Sequence, residues 1–252
     1  MPAGGARVDR APVMLQVSRL ALRYPNGKVA LADFDVAVRA GELVIVLGGN
    51  GSGKTTLLRC VARTLRPSAG TVRVNGTDLT GLAGAKLRRA RLELAMISQQ
   101  AALVRRRSVL ANVATGSLGR HGGLYTALGR LPADELQAAA GYLEEVGLAD
   151  LGRQRAGTLS GGQAQRVAIA RALAQRPRVL LADEPVASLD PEAAEEIMRL
   201  LRRLAADDNL AVLCVLHQVE LAYKYADRVV GIRDGRIAFD LPRAEVSREA
   251  VR

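Results

Sequence analysis

The chain has 252 residues, with 36 Lys+Arg against 25 Asp+Glu for a formal net charge of +11, and 49% of its residues are apolar. That composition suits a packed core in one large domain or two small ones and excludes a disordered chain. Five Tyr, two Phe and no Trp leave too few rings for a single-strand nucleic-acid binder built on base stacking.

The positive charge asks for an anionic partner without choosing between polynucleotide, phosphate and membrane surface. Of the 36 basic residues 32 are Arg, with Lys only at positions 28, 54, 86 and 224, so composition spread over the surface is an equal account of the excess. Cys60 and Cys214 lie far apart with no second cysteine or histidine pair nearby. They read as small apolar core residues in a reduced compartment. Residues 1–12 are rich in Gly, Ala, Arg and Pro, lack the apolar block of a signal peptide, and are expected to form a flexible tail. No apolar run approaches the roughly 18 residues of a membrane span. Any work at a membrane is therefore expected from outside the bilayer.

In chain order, residues 14–20 and 31–38 alternate in polarity on either side of a Tyr24-Pro25-Asn26-Gly27 turn, which predicts an antiparallel, half-exposed sheet. The continuous apolar run 43–47 ends directly in glycines and reads as a buried central strand; runs 179–182 and 211–216 have the same character. Between 103 and 158 the strand pattern disappears. There Pro132, Asp134 and Glu135 mark a helix start, Leu136, Ala139, Ala140, Leu143 and Val146 recur at helical spacing, and Gly147 fits the stop. Asp234-Gly235 between two apolar runs is a two-residue hairpin signal. The expected fold is α/β: a parallel-sheet core, an antiparallel N-terminal part and a helical insertion over about 100–158, all within one domain, 13–252.

Three motifs carry chemistry. Gly48-Gly49-Asn50-Gly51-Ser52-Gly53-Lys54-Thr55 follows the first buried strand and opens a helical run from Thr56. It matches the G-x-x-x-x-G-K-[ST] phosphate loop, in which glycines turn successive N–H groups inward, the helix N-terminus adds its positive end, the lysine reaches the β- and γ-phosphates and the hydroxyl ligates Mg²⁺. The run 179–182 delivers Asp183 and Glu184, which suit a Mg²⁺ ligand and a general base for an attacking water. Leu159-Ser160-Gly161-Gly162-Gln163 feeds an amphipathic helix and forms a second anion-binding terminus, with Ser160 as its cap. One nucleotide has a single γ-phosphate, so two phosphate-reading elements imply a composite site; an ordinary capped helix is the alternative.

With L-S-G-G-Q at 159–163, the chain resembles the ATP-binding-cassette ATPases from about residue 15 to 239, with the motifs in that family's order. The resemblance implies a P-loop NTPase fold with a RecA-like parallel core, an antiparallel β subdomain and a helical subdomain. It also implies a head-to-tail homodimer in which ATP and Mg²⁺ lie between one chain's residues 48–56 and the other's Ser160, Gly161, Gly162 and Gln163. By position, Tyr24 resembles the aromatic that stacks on adenine and Thr56 belongs with the phosphate loop. Gln99 resembles the Q-loop glutamine that senses Mg²⁺ and γ-phosphate, and Ser188-Leu189-Asp190 the D-loop. His217 resembles the switch histidine; His121 receives no such role. Residues 216–228, 235–240 and 24–27, with Asn112, Val113, Gly116, Leu118, Gly119 and Arg120, are similar to the phosphonate-import ATPase family. Ser98, Ala164 and Arg105-Arg106-Arg107 depart from its pattern. That likeness implies an ATPase at the cytoplasmic face of a bacterial inner membrane, importing phosphonates or a related oxyanion such as phosphite. Its partners would be transmembrane permease subunits and, indirectly, a periplasmic substrate-binding protein, and no nucleic acid is expected. A cassette for another cargo, or a soluble one acting on nucleic acid, stays open at this point.

Overall fold

The structure, a computed structural model, describes residues 11–121 and 131–246. The first ten residues of the expected tail lie outside them. Ala11 and Pro12 are tied to the fold, because Arg39 donates to the Ala11 carbonyl at 3.0 Å and the Ala40 N–H to that of Pro12 at 2.9 Å.

Strands β1 (Val13–Arg23) and β2 (Val29–Arg39) pair antiparallel across the turn, where Gly27 takes φ 84 and its N–H bonds the Tyr24 carbonyl. The polar–apolar alternation of β1 slips once, between Val17 and Leu20, where Arg19 takes φ 47. This bulge keeps Leu15, Val17, Leu20 and Leu22 all on the buried face. Strands β4 (Ala69–Val74) and β5 (Thr77–Asp78) complete the sheet in the order β2-β1-β4-β5.

The second sheet holds β3 (Leu43–Leu47), β6 (Leu94–Ile97), β7 (Val179–Asp183), β8 (Ala211–Leu216), β9 (Arg228–Arg233) and β10 (Arg236–Pro242) in the order β10-β9-β3-β8-β7-β6. All its pairings are parallel except β9–β10, which closes through Asp234 and Gly235 at φ 51 and 74, the two left-handed positions of a type I′ turn. β3 is buried on both faces. Leu43, Ile45 and Leu47 pack with the helical side, while Val44 and Val46 pack with the antiparallel sheet and α1 (Lys54–Val61). Each such side chain is worth roughly 1.5–3 kcal/mol of burial, which holds the strand ends rigidly enough to aim a site.

Helices α2 (Gly84–Ala90), α3 (Val109–Ala114), α4 (Ala133–Glu145), α5 (Gly161–Leu173), α6 (Pro191–Asp208) and α7 (Val219–Tyr225) complete the fold. α4 starts after Pro132 and stops before Gly147, at φ 72, as the sequence predicts. Its inward stripe differs from the predicted one. Leu136 is 41% exposed, and Glu135 is buried at 4%. Arg120 at 2.9 Å and His121 at 2.8 Å hold the Glu135 carboxylate, with Arg176 at 3.7 Å. Burial pushes that carboxyl up, but the hydrogen bonds from His121 and Arg120 outweigh it and keep the pKa below the ordinary glutamate value.

Candidate functional site

In the core sheet β3, β8 and β7 are neighbours and parallel. Their C-terminal ends therefore open on one edge, where a parallel sheet releases its loops and gathers its ligands. The loop after β3 has a path that side chains would block. A Cβ on Gly48 would sit 2.4 Å from the Ile232 carbonyl oxygen, and one on Gly53, at φ 111, 2.4 Å from that of Ala30. Helix α1 leaves Gly53 with no side-chain cap and no acidic residue in its first turn, so its first N–H groups are open to an anion.

Lys54 is only 5% exposed and arches back over the loop, its Nζ donating to the Gly48 carbonyl at 2.8 Å and that of Gly49 at 3.0 Å. Burial lowers its pKa, and the carboxylates of Glu184 and Asp183 offset part of that shift. Ser52 Oγ is buried and has no hydrogen-bond partner among the described residues. An ammonium confined by carbonyls, an orphaned hydroxyl and an open helix start together fit a polyphosphate. A cavity of about 430 Å³ lies beside the same loop, between residues 48–52 and Gly231, Ile232, Arg233 and Phe239.

Thr55 Oγ1 donates to Asp183 Oδ1 at 3.1 Å and so joins the loop to the end of β7. Burial raises the Asp183 carboxyl above its ordinary value; the Thr55 hydrogen bond works against that and the neighbouring Glu184 charge adds to it. A hydroxyl and a carboxylate this close form the start of a hard, all-oxygen site of the kind Mg²⁺ takes. Glu184 adopts φ 51, with its N–H on the Val215 carbonyl at 3.1 Å, so the chain turns sharply as it leaves β7. That turn brings Glu184 Oε1 within 2.5 Å of His217 Nε2 at the end of β8. Tyr24 OH lies 3.1 Å from Thr56 Oγ1, which puts the ring beside α1.

The structure thus brings Tyr24, residues 48–56, Asp183, Glu184 and His217 together. The remaining sequence candidates engage elsewhere. The Ser160 hydroxyl accepts from the Gln163 N–H at 3.2 Å, while Gln163 Oε1 accepts from the Ser160 N–H at 3.0 Å, a complete capping box at the start of α5. A Cβ on Gly161 would come within 3.2 Å of Leu189 Cδ2, and one on Gly162 within 3.1 Å of Ala193 Cβ, so these glycines let residues 189–193 pack close. Asp190 caps α6 by accepting from the Ala193 N–H at 2.9 Å. Gln99 is exposed just beyond β6.

Two residues not singled out from the sequence flank Gln99. Gln165 of α5, 3% exposed, donates to the Ser98 carbonyl at 3.3 Å. Arg171 of the same helix donates to the carbonyls of Ala101 at 2.7 Å and Ala102 at 2.9 Å. The helix that carries the capped 160–163 loop therefore also holds the chain on both sides of Gln99. Nothing in the sequence sets these two apart, since the same helix carries Gln163 and Arg166 as well.

The sequence matches the family model described as ABC transporter over residues 31–187. It is 52% identical over 212 residues to the "Phosphonates import ATP-binding protein PhnC" of Frankia casuarinae, covering 84% of this chain and 84% of that protein. It is 43% identical over 238 residues to the protein of that name from Wolinella succinogenes, covering 94% and 86%. Among solved structures, the dimeric post-hydrolysis state of the ATP-binding cassette MJ0796 bound to ADP and Pi superposes with a TM-score of 0.80 at 28% identity, covering 91% of this chain and 99% of that one.

Proposed function

The chain belongs to the ABC transporter family, and from that premise we propose that it is the ATP-hydrolysing subunit of an importer for phosphonates or a related oxyanion such as phosphite. The observation that carries the enzymatic part is the Thr55–Asp183 hydrogen bond set beside the Glu184–His217 pair. Two adjacent strand ends there supply a cation ligand set and a base next to the phosphate loop. The relatives' names support the choice of cargo.

In this reading Lys54, Ser52 and the N–H groups of residues 49–53 bind the β- and γ-phosphates, and the Tyr24 ring stacks on adenine. Thr55 and Asp183, joined by their hydrogen bond, would hold Mg²⁺ with Gln99 reaching it from beyond β6, and the cation would supply neutralisation of phosphate charge. Glu184 takes the proton of the attacking water, and His217, already at its carboxylate, orients it and contacts the γ-phosphate. Ser160, Gly161, Gly162 and Gln163 with Asp190 engage the nucleotide of a second copy, which makes the working unit a head-to-tail homodimer. No described helix is long and apolar enough to cross a membrane. Transport therefore needs transmembrane permease subunits, with a periplasmic binding protein upstream, and this chain works from the cytoplasmic face of the inner membrane.

Glu184→Gln tests the core of the reading. Turnover of Mg-ATP by the purified transporter is expected to fall by about 10²–10⁴-fold while nucleotide is retained. Hydrolysis at the normal rate would remove Glu184 as the base. For cargo, cells dependent on this chain and its permease should take up a phosphonate only with Glu184 intact; uptake of another solute instead would reassign it.

A further inference from the structure

The β9–β10 turn does more than reverse the chain. The Gly235 N–H donates to the Ser52 carbonyl at 3.0 Å, and the Gly235 carbonyl accepts from the Ala32 N–H at 2.9 Å. Ala32 can reach it because β2 bulges there: Leu31 pairs with Leu22 and Phe34 with Leu20, the register slips between them, and Asp33 takes φ 56. Three pieces of chain distant in sequence thus meet, residues 30–33, 48–53 and 232–235. The fit is close. A Cβ on Gly235 would lie 2.7 Å from the Ala30 carbonyl oxygen, the same atom that a Cβ on Gly53 would approach to 2.4 Å.

A second turn of the same kind shows what such a hairpin needs when it has no loop to hold. Between β4 and β5, Asn75 and Gly76 take φ 45 and 77, against 51 and 74 for Asp234 and Gly235. A Cβ on Gly76 would meet nothing within 4 Å. The turn alone therefore asks only for a left-handed glycine; the bonds to Ser52 and Ala32 and the contact with Ala30 belong to Gly235. The phosphate loop needs such support. Residues 48–53 include four glycines, the residue type that loses most freedom when ordered. Among the described residues their one internal backbone bond runs from the Ser52 N–H to the Gly49 carbonyl, at 3.3 Å. Ser52 and Gly53 share a planar trans peptide, so the carbonyl of the first and the N–H of the second point in opposite directions. Fixing the carbonyl on the hairpin turns the Gly53 N–H away from it, and that N–H has no acceptor among the described residues.

We propose that Gly235 is a positioning residue for nucleotide binding: it anchors the Ser52 carbonyl so that the Gly53 N–H faces the incoming phosphate, a role that rests on the phosphate-loop reading above. In titrations of the full chain with Mg-ADP, Gly235→Ala should raise the Kd about tenfold. In the purified transporter the KM for ATP should rise likewise, with kcat held within about a factor of two. The matched control Gly76→Ala carries the same left-handed strain and should leave both unchanged. A turn that served stability alone would cost folded protein in both variants and leave the Kd of what remains as it was. The unmodified chain supplies a second measurement, because linkage requires a bound phosphate to strengthen the contact that prepares its site. Mg-ADP should slow amide hydrogen exchange over residues 233–236 severalfold and leave that over 75–78 unchanged. Should Gly235→Ala fail to fold, the exchange result decides. An unaltered Kd in folded Gly235→Ala, an equal rise in Gly76→Ala, or exchange over 233–236 indifferent to nucleotide would overturn the proposal. If the unmodified chain bound no Mg-ADP, the phosphate-loop reading itself would fall and take the proposal with it.

Discussion

Helices α1 and α5 both start from glycine-rich loops, and neither has an acidic residue in its first turn, yet they finish those turns in opposite ways. At α1 the N-cap is Gly53 in a left-handed conformation with no side-chain cap, and the nearest charge is a buried lysine. At α5 Ser160 and Gln163 satisfy each other's backbone N–H groups before any ligand arrives. A serine cap is worth roughly a few tenths of a kcal/mol over a glycine one, and about 1 over alanine. α1 does without that contribution, and in the function proposed above a phosphate takes the acceptor's place. α5 keeps its loop in shape without a ligand, with the Ser160 proton and the Gly161 and Gly162 N–H groups left to present outward. In the proposed function, then, one terminus is left open for the chain's own nucleotide, and the other is preformed for one brought by a second copy.

The contrast can be broken in several places. Ser160→Arg should lower steady-state ATP hydrolysis roughly a hundredfold while nucleotide binding by the single chain, followed by fluorescent-nucleotide titration, stays within a factor of two; normal hydrolysis would mean that α5 faces no nucleotide. Gly53→Ala acts on the other terminus. Its strained Cβ should weaken nucleotide binding about twentyfold, and unchanged affinity would show that the uncapped start is incidental. Arg171→Met strands the Ala101 and Ala102 carbonyls and should cost about 2 kcal/mol in denaturant unfolding, with hydrolysis falling further than binding. If stability drops and hydrolysis does not, α5 is only packing. Ser160→Ala removes the cap alone and should cost about 1 kcal/mol, readable as a small drop in melting temperature.

The smallest effect is a pH dependence. Burial raises the Asp183 carboxyl in the fold, so its ionisation disfavours the folded state: this stability is present below the unfolded pKa and is lost as pH rises through the raised one. Asp183→Asn should therefore raise the melting temperature of the nucleotide-free chain at neutral pH, by a margin that shrinks as the solution is acidified through the carboxylate range. A margin that grew on acidification would reverse the sign of the shift.

The phosphate-loop half was legible because each part sits at the end of a continuous apolar run, and β3, β7 and β8 are buried along nearly their whole length. Strand order was not, since parallel pairing joins β3 to residues far along the chain and leaves no local turn to read. The stretch holding β4, β5, α2 and β6 passed unread, because α2 buries none of its residues and β4 is only partly buried. Glu135 went unrecognised for a related reason. A carboxylate in a first helical turn looks solvated, and the partners that bury it, Arg120 and His121, stand 15 and 14 residues back. Gln165 and Arg171 meet backbone carbonyls 67 to 70 residues away, a kind of contact that residue type and spacing do not announce.

The two tethers of α5 bear on timing. The helix is 13 residues long, about 20 Å of rigid rod, with the capped loop at one end and the Ser98, Ala101 and Ala102 carbonyls hung along its side. A rod that turns at one end turns along its length. In the function proposed above, a second copy's phosphate arriving at Ser160 would be felt on both sides of Gln99 through these tethers, so news from the neighbour and news from the chain's own nucleotide would reach the permease as one signal.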